Sequence, residues 1–240
     1  MPLVKWTKQD TTSILTMTSK ENRHNLDFAN EMNQAIDDIF EDESILSLIL
    51  TSDSEKNFSL GVDVEWLMQK MAENDSQSIK DFMYAMNNVF KKLIVSPFPT
   101  IAAINGHAFG NGAILACACD FRLMNSSKGY FCFPEIDLGI PFLPGMIAWV
   151  RKAIPEYKYQ ELLFTGKRTT AQELEEHHII SKSCPDPEIL MTESIKFAQS
   201  FEKKRGIFGE MKKRLYKHII HVMDTEDTKY IESLFLTVFD

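Results

Sequence analysis

Short apolar runs alternate with segments of helical periodicity over the first two-thirds of the chain. Apolar, β-branched runs that are bounded by polar or glycine-containing turns are typical of strands. A polar turn at Gln9-Asp10 between the first two runs predicts a hairpin at the N-terminal end. The sequence predicts strands at residues 3–8, 12–18, 47–52, 100–104 and 130–133.

Between these runs, apolar residues recur at the spacing of a helix. Phe28, Met32, Ile36 and Ile39 define one apolar face, and Asp27 is the predicted N-cap of that helix. We interpret most of the large apolar residues at 66–94, which form two predicted helices, as core residues. The other predicted helices cover 144–154, 157–164, a segment that starts at Thr170, and the chain from 187 to the end.

Strand–helix alternation followed by a helical tail predicts the α/β class. We expect a core at residues 1–185 and a C-terminal helical region at 186–240.

Turn signals are densest between residues 99 and 144. The run 100–104 ends at Asn105-Gly106, a dipeptide that favours positive φ. It is followed by Gly110-Asn111-Gly112 and a small-residue helix, and a glycine turn that leads into a helix presents free N–H groups to an anion. Glu135 follows Pro134 after the run 130–133. A glutamate after a proline at the end of a strand is more often a solvated loop residue than a catalytic one. A donor turn and a nearby carboxylate can nevertheless move a proton beside a carbonyl.

Composition excludes some classes of protein. The net charge of −8 and the pI near 5.3 argue against a general binder of nucleic acid or anionic membranes. There is no signal peptide or long apolar span, so we expect a cytoplasmic protein without membrane insertion. The four cysteines lack metal-ligand spacing and are interpreted as reduced and structural, so no metal site is expected: Cys117, Cys119, Cys132 and Cys184.

Four segments in register resemble the crotonase (enoyl-CoA hydratase/isomerase) superfamily. They are FSLGVDV (58–64), INGHAFGNGAILACACDFRL (104–123), FPEIDLGI (133–140) and FTGKRTTAQE (164–173). Each short glycine pattern is weak alone, but their common order and spacing identify the chain as a member of that superfamily.

The resemblance implies a spiral of ββα units, a homotrimer or a dimer of trimers, and an acyl-CoA substrate whose coenzyme A is not a separate cofactor. The thioester oxygen would lie between two backbone N–H donors, assigned by the resemblance to Leu60 and Asn111, which are bulkier than the family's usual alanine and glycine. The phosphates of coenzyme A would lie near Lys20, Arg23 and Lys56. The other expected substrate-binding residues are Arg23, Ser59, Gly61, Val62, Asp63, Val64 and Gly110.

The pattern of carboxylates indicates which reaction to expect. The family's hydratases use two carboxylates, and this chain keeps the second, Glu135, but has Ile114 in place of the first. Dienoyl-CoA isomerases would need acids at Ile114 and Leu143. A single carboxylate can still take a proton from C2 and return it at C4. The resemblance is therefore strongest to Δ3,Δ2-enoyl-CoA isomerases of fatty acid metabolism, with Glu135 as the acid/base.

Two alternatives stay open. One is an enoyl-CoA hydratase or another CoA-thioester reaction at the same site, and the other is a non-catalytic acyl-CoA-binding protein.

Overall fold

The structure is a computed structural model that describes residues 2–201 and 203–238. Its strands are β1 (Val4–Gln9), β2 (Thr12–Met17), β3 (Arg23–His24), β4 (Ser47–Ser52), β5 (Asn57–Ser59), β6 (Gly61–Val62), β7 (Thr100–Ile104), β8 (His107–Phe109), β9 (Phe121–Asn125), β10 (Phe131–Cys132) and β11 (Lys182–Cys184). Its helices are α1 (Leu26–Glu41), α2 (Val64–Ala72), α3 (Ser76–Ile94), α4 (Asn111–Ala118), α5 (Glu135–Leu138), α6 (Pro144–Ala153), α7 (Glu156–Thr165), α8 (Ala171–Glu176), α9 (Pro187–Gln199), α10 (Arg205–Leu215), α11 (Lys217–Thr225) and α12 (Asp227–Ser233).

A six-stranded sheet in the order β1-β2-β4-β7-β9-β11 forms the centre of the molecule. The β1–β2 hairpin is antiparallel, and the remaining pairs are parallel. Every residue of β4 and β7 is buried, as expected for parallel strands that are covered on both faces.

A repeating unit builds the fold. Each unit adds one strand to the large sheet, then one or two short strands beside it, and then helix. The short strands pair in parallel as β10-β8-β5 and β3-β6. This α/β architecture is the expected spiral of ββα units with a C-terminal helical region. It places the glycine turns after the carboxyl ends of β4 and β7, where ligands bind in many parallel sheets.

Alternate residues of the central strands serve two apolar clusters, because side chains along a strand alternate between the faces. Leu48 and Leu50 join the main core with α1, α3 and α4, whereas Ile49 packs on the other face with Leu190 and Ala198 of α9. Ile219 and Met223 of α11 belong to the main core. The C-terminal helices therefore cover both faces of the sheet, and the boundary between residues 185 and 186 stays a prediction.

Three predicted details of the helices are wrong. Asn25, and not Asp27, caps α1, because its side chain accepts a hydrogen bond from the Phe28 amide at 3.0 Å. The core interpretation holds for most apolar residues of α3, but no residue of α2 is buried, and Met68 is 65% exposed. The final predicted helix is divided into α9 to α12, and the last of these ends at Ser233. Residues 202, 239 and 240, which this prediction also covered, lie outside the described residues.

Gly106 is needed for contact and not for positive φ. Its φ lies outside the left-handed region, but a Cβ there would collide with the carbonyl of Lys56. The sequence pattern therefore identified the correct residue for the wrong reason. The short strands β3, β5, β6, β8 and β11 were also not predicted, since two or three residues give no periodicity to detect, and the five-residue strand β9 of the central sheet was missed as well.

Within the described ranges, no helix combines the length and the apolar character that crossing a bilayer requires.

A buried ion pair joins the C-terminal region to the sheet. Lys212 of α10 lies 2.7 Å from the Asp120 carboxylate and donates to the Leu93 carbonyl. Removal of one partner leaves a buried charge, so we expect Lys212→Met to lower the free energy of unfolding by about 3–5 kcal/mol in urea denaturation. Lys213→Met, at the exposed neighbouring position, is the control and is expected to change it by less than about 0.5 kcal/mol. Equal effects of the two variants would contradict this assignment.

Candidate active site

Two backbone turns, at residues 59–62 and 109–112, touch each other directly. Gly61 has φ +82°, and a Cβ there would lie 2.8 Å from the Phe109 oxygen and 2.9 Å from the Asn111 nitrogen. A Cβ on Gly112 would collide with the Ser59 carbonyl. Because glycine alone lacks this atom, each turn needs a glycine where the other approaches.

The contact between the turns determines which amides are free. The Leu60 amide, expected to be a free donor, instead donates to the Glu21 carbonyl at 3.0 Å. The Asp63 amide likewise donates to His24 O at 2.9 Å. Leu60 is therefore not a free donor in this structure.

Val62 is the alternative candidate. Its neighbour Asp63 donates its amide towards His24, and because successive amides of a regular strand point to opposite sides, the Val62 amide is expected to point away from β3. Gly61, directly before Val62, lies against the 109–112 turn. Asn111 is the first residue of α4, a position whose amide has no acceptor within the helix. The two contacting turns thus each carry one candidate donor, Val62 and Asn111, and the positive end of the α4 dipole lies at Asn111.

Glu135 lies against the second turn. It begins the short helix α5, and its Oε1 would be 3.0 Å from a Cβ on Gly110. Among the described residues Oε2 has no hydrogen-bond partner, and the side chain is 9% exposed. Burial raises the pKa of Glu135 to about 7, against a smaller lowering by its own backbone amide. This carboxyl can therefore accept or release a proton near neutral pH.

An apolar cleft of about 310 Å³ opens beside Glu135. Aliphatic and aromatic side chains dominate its wall, which suits a hydrocarbon chain next to the carboxylate. Its lining includes Ile136, Ile140, Phe142, Ile147, Leu163 and Phe164.

A second, polar cleft of about 320 Å³ lies by the loop after β4. Lys20 and Lys56 line it, as do Asp53 and Glu55, so its charge is mixed. The predicted phosphate contacts of the two lysines stay a prediction.

Comparison with known proteins identifies the family. The family model described as "Enoyl-CoA hydratase/isomerase" matches residues 8–238. The mitochondrial enoyl-CoA hydratase of Pongo abelii is 30% identical over 209 residues, 87% of this chain and 69% of that protein. The chain belongs to the enoyl-CoA hydratase/isomerase family.

Relatives with other names also match. The peroxisomal enoyl-CoA delta isomerase 2 of Arabidopsis thaliana is 26% identical over 186 residues, 75% of this chain and 78% of that protein. The crystal structure of an enoyl-CoA hydratase from Bacillus halodurans has a TM-score of 0.85 with 22% identity, and the match covers 96% of this chain and 94% of that one. This last likeness supports the crotonase fold alone.

Some residues expected to bind substrate have structural contacts in this family member. Asp63 caps α2 through the Trp66 amide at 3.1 Å and accepts from Asn25 Nδ2 at 3.2 Å. Arg23 pairs with Glu21 at 2.7 Å on the surface, and Val64 is 45% exposed. Their roles in substrate binding stay predictions.

Ser59 belongs to a buried hydrogen-bond network with His24 and Asn111, which the sequence did not predict. His24 is buried between the Ser59 hydroxyl, 2.9 Å from Nε2, and the Asn111 side chain, 3.0 Å from Nδ1. A histidine in a basic loop carried no signal for this position, because its partners are 35 and 87 residues away.

The remaining histidines and the cysteines have other surroundings. His107 Nδ1 accepts from the Tyr130 amide at 3.3 Å. Helix α8 ends at Glu176, so His177 and His178 follow it, and His178 has φ +56°. All four cysteines are buried and unpaired, and no group of metal-ligating side chains occurs within the described ranges.

Burial of Glu135 has a consequence for stability. Since its pKa in the folded protein is raised from 4.5 to about 7, the folded state binds a proton that the unfolded chain releases. The contribution of this group is therefore fully present below about pH 4.5 and is lost as the pH rises through about 7. We expect Glu135→Gln to be more stable than the parent protein at about pH 8, by on the order of 3 kcal/mol, and equal to it near pH 4.5.

Urea unfolding across this pH range checks the expectation. Asp137→Asn, at an exposed carboxylate on the same short helix, is the control and should show no such pH-dependent gain. A gain for Glu135→Gln that is the same at both ends of the range would contradict the assigned cause.

Proposed function

We propose that this member of the family is a Δ3,Δ2-enoyl-CoA isomerase that acts on an acyl-CoA substrate. The observation that carries the proposal is a single carboxylate beside the two contacting turns at residues 59–62 and 109–112, which are called the interlocked turns below. Glu135 lies against Gly110, whereas position 114, where the resemblance implies a second carboxylate in hydratases, holds an isoleucine that is 2% exposed. Holding and activating a water molecule calls for both groups, but transferring a proton between two carbons calls for one.

The reaction follows from the arrangement of donors and base. The thioester oxygen accepts hydrogen bonds from the amides of Val62 and Asn111, and the ionised Glu135 removes a proton from C2. Negative charge then develops on the oxygen, where fixed donors stabilise the enolate, and the loss of one such donor typically costs about 100-fold or more in rate. Protonated Glu135 returns the proton at C4, which moves the double bond. A carboxyl with its pKa near 7 suits both steps.

The rest of the substrate follows from the same placement. The acyl chain enters the apolar cleft beside Glu135, and the pantetheine arm runs along the backbone of residues 59–64 and Gly110. The nucleotide end lies towards Lys20, Arg23 and Lys56. Coenzyme A is part of the substrate, so no separate cofactor is proposed. A homotrimer or dimer of trimers stays a prediction from the resemblance, and a cytoplasmic location stays a prediction from the sequence.

Hydration of trans-2-enoyl-CoA is the second candidate. It is favoured by the hydratases of Pongo abelii and Clostridium acetobutylicum, which are 30% and 32% identical, whereas the peroxisomal isomerase of Arabidopsis thaliana is 26% identical. Only the coarser activity of the family is common to both groups.

An assay with trans-3-enoyl-CoA and trans-2-enoyl-CoA separates the two candidates. We expect turnover of the 3-enoyl substrate to exceed hydration of the 2-enoyl substrate by at least tenfold. The reason is that position 114 lacks the second carboxylate that would help to hold and activate a water molecule. Hydration as the main activity would overturn the proposal.

Glu135→Gln tests the role of the carboxylate. The amide keeps the size of the side chain but cannot take a proton, so we expect kcat to fall by about 100-fold or more while binding of acyl-CoA persists. Asp137→Asn on the same helix is the matched control and should retain turnover. Unchanged turnover in Glu135→Gln would favour a non-catalytic acyl-CoA-binding protein.

A further inference from the structure

Three buried polar side chains from distant segments meet behind the interlocked turns. His24 comes from β3, Ser59 from β5 and Asn111 from the start of α4. The imidazole and the hydroxyl are fully buried, and Asn111 is 6% exposed. The imidazole also stacks on Phe28, with ring centroids 4.4 Å apart.

The hydrogen bonds determine the tautomer of His24. The Ser59 hydroxyl has one proton, which it donates to the Asn22 carbonyl at 2.7 Å, so it must accept at its other contacts. His24 Nε2 therefore carries the ring proton and donates to Ser59 Oγ. Nδ1 is left as an acceptor for the Asn111 side-chain N–H. Both ring nitrogens are thus engaged, and the bond that Nδ1 accepts from Asn111 needs the neutral ring.

The two links of His24 end on the two turns that carry the backbone donors. Ser59 Oγ also accepts from the Gly61 amide at 3.0 Å, directly before Val62. Asn111 is held by its side chain, and its backbone nitrogen would lie 2.9 Å from a Cβ on Gly61 of the first turn. The resemblance implies a small residue at position 111, and such a residue could not bond to His24. The hydrogen bonds that join His24 to the two turns, called the clamp below, therefore use a side chain particular to this sequence.

We propose that His24 is a positioning residue that fixes the Val62 and Asn111 amides relative to each other through Ser59 and the Asn111 side chain. This inference rests on the proposed function, since it assigns the two amides to the thioester oxygen. His24 itself transfers no proton, because burial lowers its pKa to about 3 and both nitrogens are committed. A shift of about 1 Å in a reacting group can cost on the order of 100-fold in rate, so a clamp of this kind affects turnover more than binding.

The test uses two substitutions at His24. His24→Phe keeps a ring on Phe28 but removes both hydrogen bonds, whereas His24→Asn offers an amide oxygen near the position of Nδ1 and can keep the link to Asn111. Two rates are measured: exchange of the C2 protons of hexanoyl-CoA in D2O by NMR, and steady-state isomerisation of trans-3-hexenoyl-CoA. In the exchange, Glu135 takes a proton from C2 and the carbanion receives a deuteron that the carboxyl has acquired from solvent.

We expect His24→Phe to lower both the exchange rate and kcat by roughly 10- to 100-fold, with KM within about twofold of the parent value. His24→Asn should recover at least part of that loss. Asn111→Gly should lower kcat to a similar extent, and combining it with His24→Phe should add little, because both changes break the same link. The control for lost buried hydrogen bonds is Thr12→Val, which removes a buried hydroxyl pair with Ser47 at the amino ends of β2 and β4. This variant should retain kcat.

Three results would overturn the inference: unchanged kcat in His24→Phe, a change in KM alone, or additive losses in the double variant. If His24→Phe does not fold, Asn111→Gly decides the question, and full turnover in that variant overturns the inference.

The exchange measurement separates the two proposals. If the parent protein exchanges C2 protons but does not isomerise the 3-enoyl substrate, the isomerase proposal fails while the effect of His24 on enolate formation is still measured. If the parent exchanges no C2 protons, the enolate chemistry fails and this inference fails with it.

Discussion

Direct contact between two stretches of backbone governs the site. The first turn can approach the second only because residues 61 and 112 lack a Cβ, and each glycine lies where the other turn presents a backbone atom. Side chains at these positions would separate the turns by more than the distance over which two donors can share one oxygen. Because protein interiors are densely packed and transmit displacement, the surrounding residues do not absorb a change in the distance between the turns.

The same contact explains why the surrounding polar groups are arranged as they are. The Leu60 and Asp63 amides donate to the carbonyls of Glu21 and His24, which leaves Val62 as the proposed donor of the first turn. Helix α4 is short and wholly buried, and cations satisfy the carbonyls at its far end: Lys152 donates to Cys117 O and Cys119 O, and Arg122 also donates to Cys119 O. Its other end is left with unpaired N–H groups at the site, where a developing negative charge is favourable.

The proposed role of Glu135 as a base carries a cost in stability. Its carboxyl lies in a desolvated position where the ionised form is disfavoured and one oxygen has no partner among the described residues. A structural role would favour a partner for that oxygen, since unsatisfied buried polar atoms destabilise the folded state. A base that must act near neutral pH benefits from the same surroundings, so stability and activity make opposite demands at this residue.

The sequence alone determined the α/β class, most of the main strands, the two glycine turns, the candidate carboxylate and the family, because these depend on periodicity and on residue types at fixed local spacing. Tertiary structure decided the rest. Which amide is free depends on pairing between β3 and β6, segments almost 40 residues apart, and this pairing is why the proposed first donor is Val62 and not Leu60. The burial of His24 and the exposure of α2 likewise depend on which elements pack together, and a local pattern carries no record of that.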